Sequence, residues 1–302
     1  MMRKLFFAFL VIAAPPLFAD SKASENWMLY ERGNAAMSSG EFGTALSLFK
    51  EAIQNTGIFP EAEMAIGDIY MEEGEADLAI RQYDKAYNLR KSFIIPDMQY
   101  DVLYRSARVY QALEQYRAME DNLNLIVQDD REYAESENFH LRSQVVKNFY
   151  DKGMDRVLQL YTFDRSFAAE AHSALGLFYY RTGRYEPSVS HLLYSIIYRV
   201  SQVVRYLRDR DVDYAFTTLG DLMAAMSASR DLSGFARETG LYKDLYYLAG
   251  SAYAAGSVQN SLNLWTLVAG SQDAGTYQDL SRRQLKRPFL EPLIGVAEAP
   301  RN

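Results

Sequence analysis

The chain has 302 residues, only three histidines (His140, His172 and His191) and no cysteine. The lack of cysteine excludes thiolate nucleophiles, cysteine-ligated zinc and iron–sulfur sites, and acylation at a cysteine. His172 and His191 are spaced to meet across a helical hairpin. Spacing places no carboxylate that would complete a metal or acid–base set with them, so all three histidines are expected to be structural or surface residues. The carboxylate pairs Glu72-Glu73 and Asp129-Asp130 fall in polar helix faces or connections, where solvated surface is expected. Neither a glycine-rich phosphate loop nor a Gly-x-Ser-x-Gly element is present. The expectation is a protein that is not an enzyme and that uses no metal and no cofactor.

Charge narrows the partners. The net charge is -7, which disfavours general binding to nucleic acid. Against this background Arg199, Arg205, Arg208 and Arg210 form a basic stretch. At a helix end such a run offsets the helix dipole and pairs with neighbours such as Asp209, Asp211 and Asp213. Arg199, Arg205 and Arg208 are also the residues through which an acidic partner or anionic headgroups would be met.

Residues 1–19 carry Arg3 and Lys4, an apolar run from Leu5 to Ala14, a Pro15-Pro16 break, and Ala19 before Asp20. That order is the pattern of a secretory signal peptide, and the run is too short for a transmembrane helix of about 20 residues. Leu17 at the -3 position departs from the usual small residue. Cleavage after Ala19 takes the net charge from -7 to -9 and leaves no transmembrane span in the mature form.

The elements that position any site are repeats. Between the segments starting at Asn26 and Pro60, Gly33 recurs as Gly67, Gly40 as Gly74, Ala45 as Ala79, Phe49 as Tyr83 and Ala52 as Ala86, each 34 residues on. Two antiparallel helices approach closely only on small residues, with large ones filling the space between crossings. Gly40 and Gly74 fall just past a helix end, where the chain turns through a left-handed residue. A third unit after Pro96 uses Ala107, Tyr110, Tyr116, Leu123 and Ile126, with Glu114 at the turn and Met119 at a small-residue position. A distant copy has Gly176, Tyr179, Gly183 and Tyr185, and a last one Gly250, Tyr253, Gly256 and Trp265. Two weaker stretches also read as hairpins. Residues 138–163 carry Val145, Val146, Phe149, Val157 and Leu160 around a turn at Lys152-Gly153, and residues 211–239 carry Tyr214, Phe216, Leu219, Leu222 and Met223.

This period and these residue types resemble the tetratricopeptide repeat family. The resemblance covers residues from Trp27 to about Gly270, with the best repeats at 26–59, 60–93 and 169–202. It implies an all-α fold, a right-handed α-solenoid of about six helical hairpins, some degenerate, over residues 20–270. Residues 271–302 are expected to form a capping helix and an extended tail.

In that family the first helix of each hairpin lines the concave face. The resemblance therefore implies a partner-binding set of Trp27, Tyr30, Asn34 and Met37, then Met64, Asp68 and Met71, then Tyr104, Arg108 and Gln111. Aromatic and Met side chains there suit an apolar or amphipathic peptide. Some members clamp chaperone C-termini with Lys and Asn. Asn34 matches one such position, but Tyr30 and Met64 depart from the pattern, so that partner is not expected. With export, the resemblance implies a periplasmic, envelope-associated scaffold or adaptor for protein or peptide partners. Members of that kind serve in envelope assembly, secretion, or collars around the flagellar motor in bacteria with internal flagella. A different class is also implied, a ligand-binding component associated with a membrane transporter. The residues do not fix an oligomeric state.

Overall fold

In the computed structural model the described residues are 21–133, 135–164 and 166–294. The expected signal peptide, residues 1–19, and the end of the expected tail, residues 295–302, lie outside them. The described residues form fourteen α-helices and two short 3-10 turns. They are α1 Ser21–Ser38, α2 Phe42–Thr56, α3 Pro60–Glu72, α4 Ala76–Asn88, α5 Met98–Ala112, α6 Tyr116–Gln128, α7 Glu135–Leu160, α8 Ala169–Arg181, α9 Tyr185–Arg208, α10 Leu219–Ser227, α11 Arg230–Glu238, α12 Leu241–Ala254, α13 Val258–Gly270 and α14 Thr276–Lys286. No described helix is long and apolar enough to cross a membrane. The chain divides into two compact units, residues 1–96 and 97–302.

One turn recurs at the centre of the five hairpins α1–α2, α3–α4, α5–α6, α8–α9 and α12–α13. Gly40, Gly74, Gly183 and Gly256 all have φ between 77° and 85°, and Glu114 takes the same left-handed role with φ 57°. In each case the next residue's N–H reaches back across the helix end, as in Glu41 to the Ala36 carbonyl at 2.9 Å and Arg184 to the Tyr179 carbonyl at 2.8 Å. This is a six-to-one capping bond that satisfies an orphan carbonyl of the first helix.

In the first unit, α1–α2 and α3–α4 cross on glycine. A Cβ at Gly67 would stand 2.5 Å from the Tyr83 ring, and one at Gly33 would overlap the Phe49 ring. Ala45, Phe49, Ala52, Ala62, Ala65, Ile66 and Ile69 close the core between the hairpins.

In the second unit, α8–α9 crosses at Gly176, where a Cβ would meet Leu192 at 2.6 Å. Gly250 departs from its expected role. A Cβ there would meet Tyr180 of α8, in the neighbouring hairpin, at 2.9 Å. The two weaker stretches are helical but do not continue the series. α6 packs on α8, and α8 and α9 pack on α12, so the hairpins α5–α6, α8–α9 and α12–α13 adjoin one another. α7 lies instead along α9 and α13, and α10 packs on α7. α7 is broken at Gly153 (φ 80°, ψ -179°). Val145, Phe149 and Val157 are buried, whereas Leu160, expected in that apolar set, is 43% exposed at the helix end. With neighbours on so many sides, α9 buries nearly every residue from Ser188 to Val204.

Candidate functional site

The first helices do not present the expected residues uniformly. Trp27 and Tyr30 are half-buried and packed together, with ring centroids 5.1 Å apart. Trp27 also meets Phe59 at 5.1 Å, and Tyr30 meets Phe59 at 5.3 Å and Phe49 at 5.6 Å. Burial raises the Tyr30 phenol above its ordinary range. These rings seal the end of the first unit's core. Met64, expected on the exposed face, is buried at 4% exposure. The 34-residue alignment pairs it with Tyr30, but α3 is covered by α1, α2 and α4 whereas α1 has fewer neighbours. Asn34, Met37, Asp68 and Met71 stay half-exposed, with Asp68 accepting the Tyr83 hydroxyl at 2.8 Å.

In the second unit Tyr104 serves the fold. Its hydroxyl donates to the Phe167 carbonyl at 2.7 Å and accepts from Ala171 N–H at 2.9 Å, tying α5 to the start of α8. Arg108 is exposed beside Glu170 at 3.1 Å, and Gln111 is exposed.

The basic stretch separates into two kinds of residue. Arg199 is buried and ion-paired with Asp244, so it has no surface to offer an acidic partner. Asp244, itself fully buried on α12, also accepts from Ser173 of α8 at 2.6 Å and Ser195 of α9 at 2.7 Å. Arg205 is exposed beside Asp164 at 3.1 Å, and Arg208 is exposed with its Nε donating to the Tyr214 carbonyl at 3.3 Å. Arg210 stands 3.9 Å from Asp231. These partners are not the adjacent aspartates that the sequence suggested.

His172 and His191 do meet, with Nδ1 to Nδ1 at 3.0 Å, and a carboxylate does complete the group. Asp130, expected at the surface, is 3% exposed, and its Oδ2 lies 3.0 Å from His172 Nε2. Tyr198 donates to the same carboxylate at 2.6 and 2.8 Å, and the Tyr133 hydroxyl stands 3.1 Å from His191 Nε2. With Asp130 ionised and both imidazoles neutral, only one arrangement of protons satisfies every contact. Tyr133 donates to His191 Nε2, His191 Nδ1–H to His172 Nδ1, and His172 Nε2–H to Asp130. Burial lowers the pKa of both rings, that of His191 further because His172 and Arg142 stand beside it. Asp130 and Tyr198 also border a cavity of about 230 Å³ shared with Asp129, Glu132 and Asp164. Among the described residues, no three His, Asp or Glu side chains are arranged to hold a metal ion. Chemically the chain is a closed set of hydrogen bonds that locks the end of α6 to α8 and α9. Spacing could not reveal it, because Asp130 and His172 are 42 residues apart with α7 between them.

No family model matches the chain. It is similar to an uncharacterized protein of Treponema pallidum, 24% identical over 219 residues that cover 71% of the chain and 58% of that protein. It is also similar to an uncharacterized protein of Borreliella burgdorferi, 22% identical over 311 residues covering 93% and 96% respectively. The chain thus spans less than two thirds of the length of the Treponema relative.

Proposed function

We propose that the chain is an exported tetratricopeptide-like scaffold of the bacterial periplasm or envelope, which acts by holding other proteins and not by catalysis. The observation that carries this reading is the repeated hairpin, with its glycine crossings at Gly33, Gly67 and Gly176 and its left-handed turns at Gly40, Gly74, Glu114, Gly183 and Gly256. Hairpins of this kind bury one face against their neighbours and leave a row of first-helix side chains for contact. In the first unit that row is Asn34, Met37, Asp68 and Met71, whose side chains stay partly accessible after the core is closed. The histidine group supports a binding role over an acid–base one, because each of its ring nitrogens is engaged within the protein. Affinity capture from cells tests the reading. The double substitution Asn34→Ala with Met71→Ala is expected to lose captured partners with an unchanged helical spectrum and melting temperature. Capture that survives unchanged moves the site elsewhere.

A second reading, a small-ligand component of a transporter, is favoured by one feature. An open cavity of about 460 Å³ between α7 and α9 is lined by Arg142, Lys147, Tyr150, Asp151 and Ser190. The Tyr150 and Ser190 hydroxyls are buried there without a hydrogen-bond partner among the described residues. Ser190→Val would separate the readings, since it should weaken a small polar ligand and leave protein capture intact.

A further inference from the structure

The segment that follows α14 is bound by the second unit as a peptide is bound. Residues 287–294 have no regular secondary structure, yet their backbone is met at fixed points. Gln284 brackets Phe289, accepting its N–H at 2.9 Å and donating to its carbonyl at 3.0 Å. Glu291 N–H donates to the Tyr180 hydroxyl at 3.2 Å, and Ile294 N–H donates to the Arg181 carbonyl at 2.9 Å. The Glu291 carboxylate accepts the Tyr247 hydroxyl at 3.3 Å.

The segment's own apolar side chains are poorly covered, with Phe289 42%, Leu290 40% and Leu293 58% exposed. Little apolar burial therefore holds it in place. It is fixed mainly through main-chain groups, which any extended peptide of the same shape supplies equally well. The groups that receive it belong to packed helices. Tyr180 is wedged against Gly250 and lies 5.1 Å from the Tyr247 ring, contacts with α12 in which the segment takes no part.

We propose that the cleft between the end of α8, α12 and α14 recognises an extended segment of a partner protein through its main chain and one carboxylate, held as that of Glu291 is by the Tyr247 hydroxyl, and that residues 289–294 (Phe-Leu-Glu-Pro-Leu-Ile) fill the cleft as an internal stand-in that the partner displaces. The proposal rests on the binding reading above but concerns a different unit from Asn34 and Met71. Its failure would leave capture through those residues unaffected.

The test uses the full chain and a fluorescent synthetic peptide of residues 287–294, followed by anisotropy. Glu291→Pro with Ile294→Pro removes two of the three tail amide donors and the Glu291 carboxylate without changing a cleft residue. This variant is expected to bind the peptide at least tenfold more tightly than the wild type, and adding Tyr180→Phe should weaken that binding about fivefold or more. Equal binding by variant and wild type, or none by a variant with wild-type helicity and melting temperature, overturns the proposal. So does a wild-type dimer that the double proline substitution abolishes, because it would seat a second copy's segment there. Should the variant misfold, amide exchange on the wild type decides. Glu291 and Ile294 amides should exchange at least a hundredfold faster than those of central α9, and equal protection would make the segment a fixed part of the core.

Discussion

Gly67 has no room for a side chain: a Cβ there would stand 2.5 Å from the Tyr83 ring. Gly67→Leu is expected to destabilise by about 1–3 kcal/mol, against about 0.5 kcal/mol or less for Glu72→Leu on the exposed side of the same helix. Equal melting temperatures would mean that the crossing is misplaced. Glu114 offers the opposite case, since it is the one non-glycine among the described residues with positive φ. Glu114→Gly should stabilise by about 0.5–1 kcal/mol, read from urea midpoints, because the left-handed strain it relieves exceeds the entropy glycine adds. The buried histidines set a pH dependence. Both have pKa values lowered by burial, so the unfolded chain binds protons that the folded chain refuses. Their contribution is fully present above about pH 6.5 and is lost as pH falls, at up to about 2.7 kcal/mol per pH unit while both rings stay neutral in the fold. Glu132, raised by burial and by the Asp130 charge, opposes this in part. Stability that is flat between pH 7.5 and 5.5 would contradict the buried neutral pair.

Helices α8, α9 and α12 are joined through one carboxylate. Asp244 takes Ser173 from α8 and both Ser195 and Arg199 from α9, all in the core. Arg199→Met leaves that charge buried with its hydrogen-bonded cation gone and only Lys243, 3.9 Å away, beside it; it should cost about 3 kcal/mol in chemical denaturation, whereas Arg199→Met with Asp244→Leu should recover most of the loss. A double variant as unstable as the single one would argue against an unpaired-charge origin. These helices also show where sequence stops being informative. The turns and crossings were legible because each is fixed by contacts within one hairpin, so Gly33, Gly67, Gly176 and the turn glycines follow from spacing alone. The close contact of Gly250, with Tyr180, is between hairpins, and spacing within one hairpin does not reveal it. Arg199 and Asp130 read as surface charges because their partners stand far along the chain, and no local period encodes a buried pair. Met64 is buried although it matches Tyr30 in the repeat, because α3 has more neighbours than α1 and a shared period does not encode that difference.

An acidic, cysteine-free chain of helical hairpins gains its stability from packing between neighbours. The proposed export carries its own check. The mature N-terminus should be at or near Asp20, and an intact Met1 form in the membrane fraction with no processed species would contradict it. The proposed binding role is tested most directly by a photo-crosslinking residue placed in turn at Met71, at Asn34, and at the exposed Lys50 and Asp84 on the second helices, with illumination in living cells. Discrete protein adducts from positions 71 and 34, and none from 50 and 84, are expected if the first helices hold a partner. No adduct from 71 and 34, or equal adducts from all four positions, would contradict a binding face on the first helices.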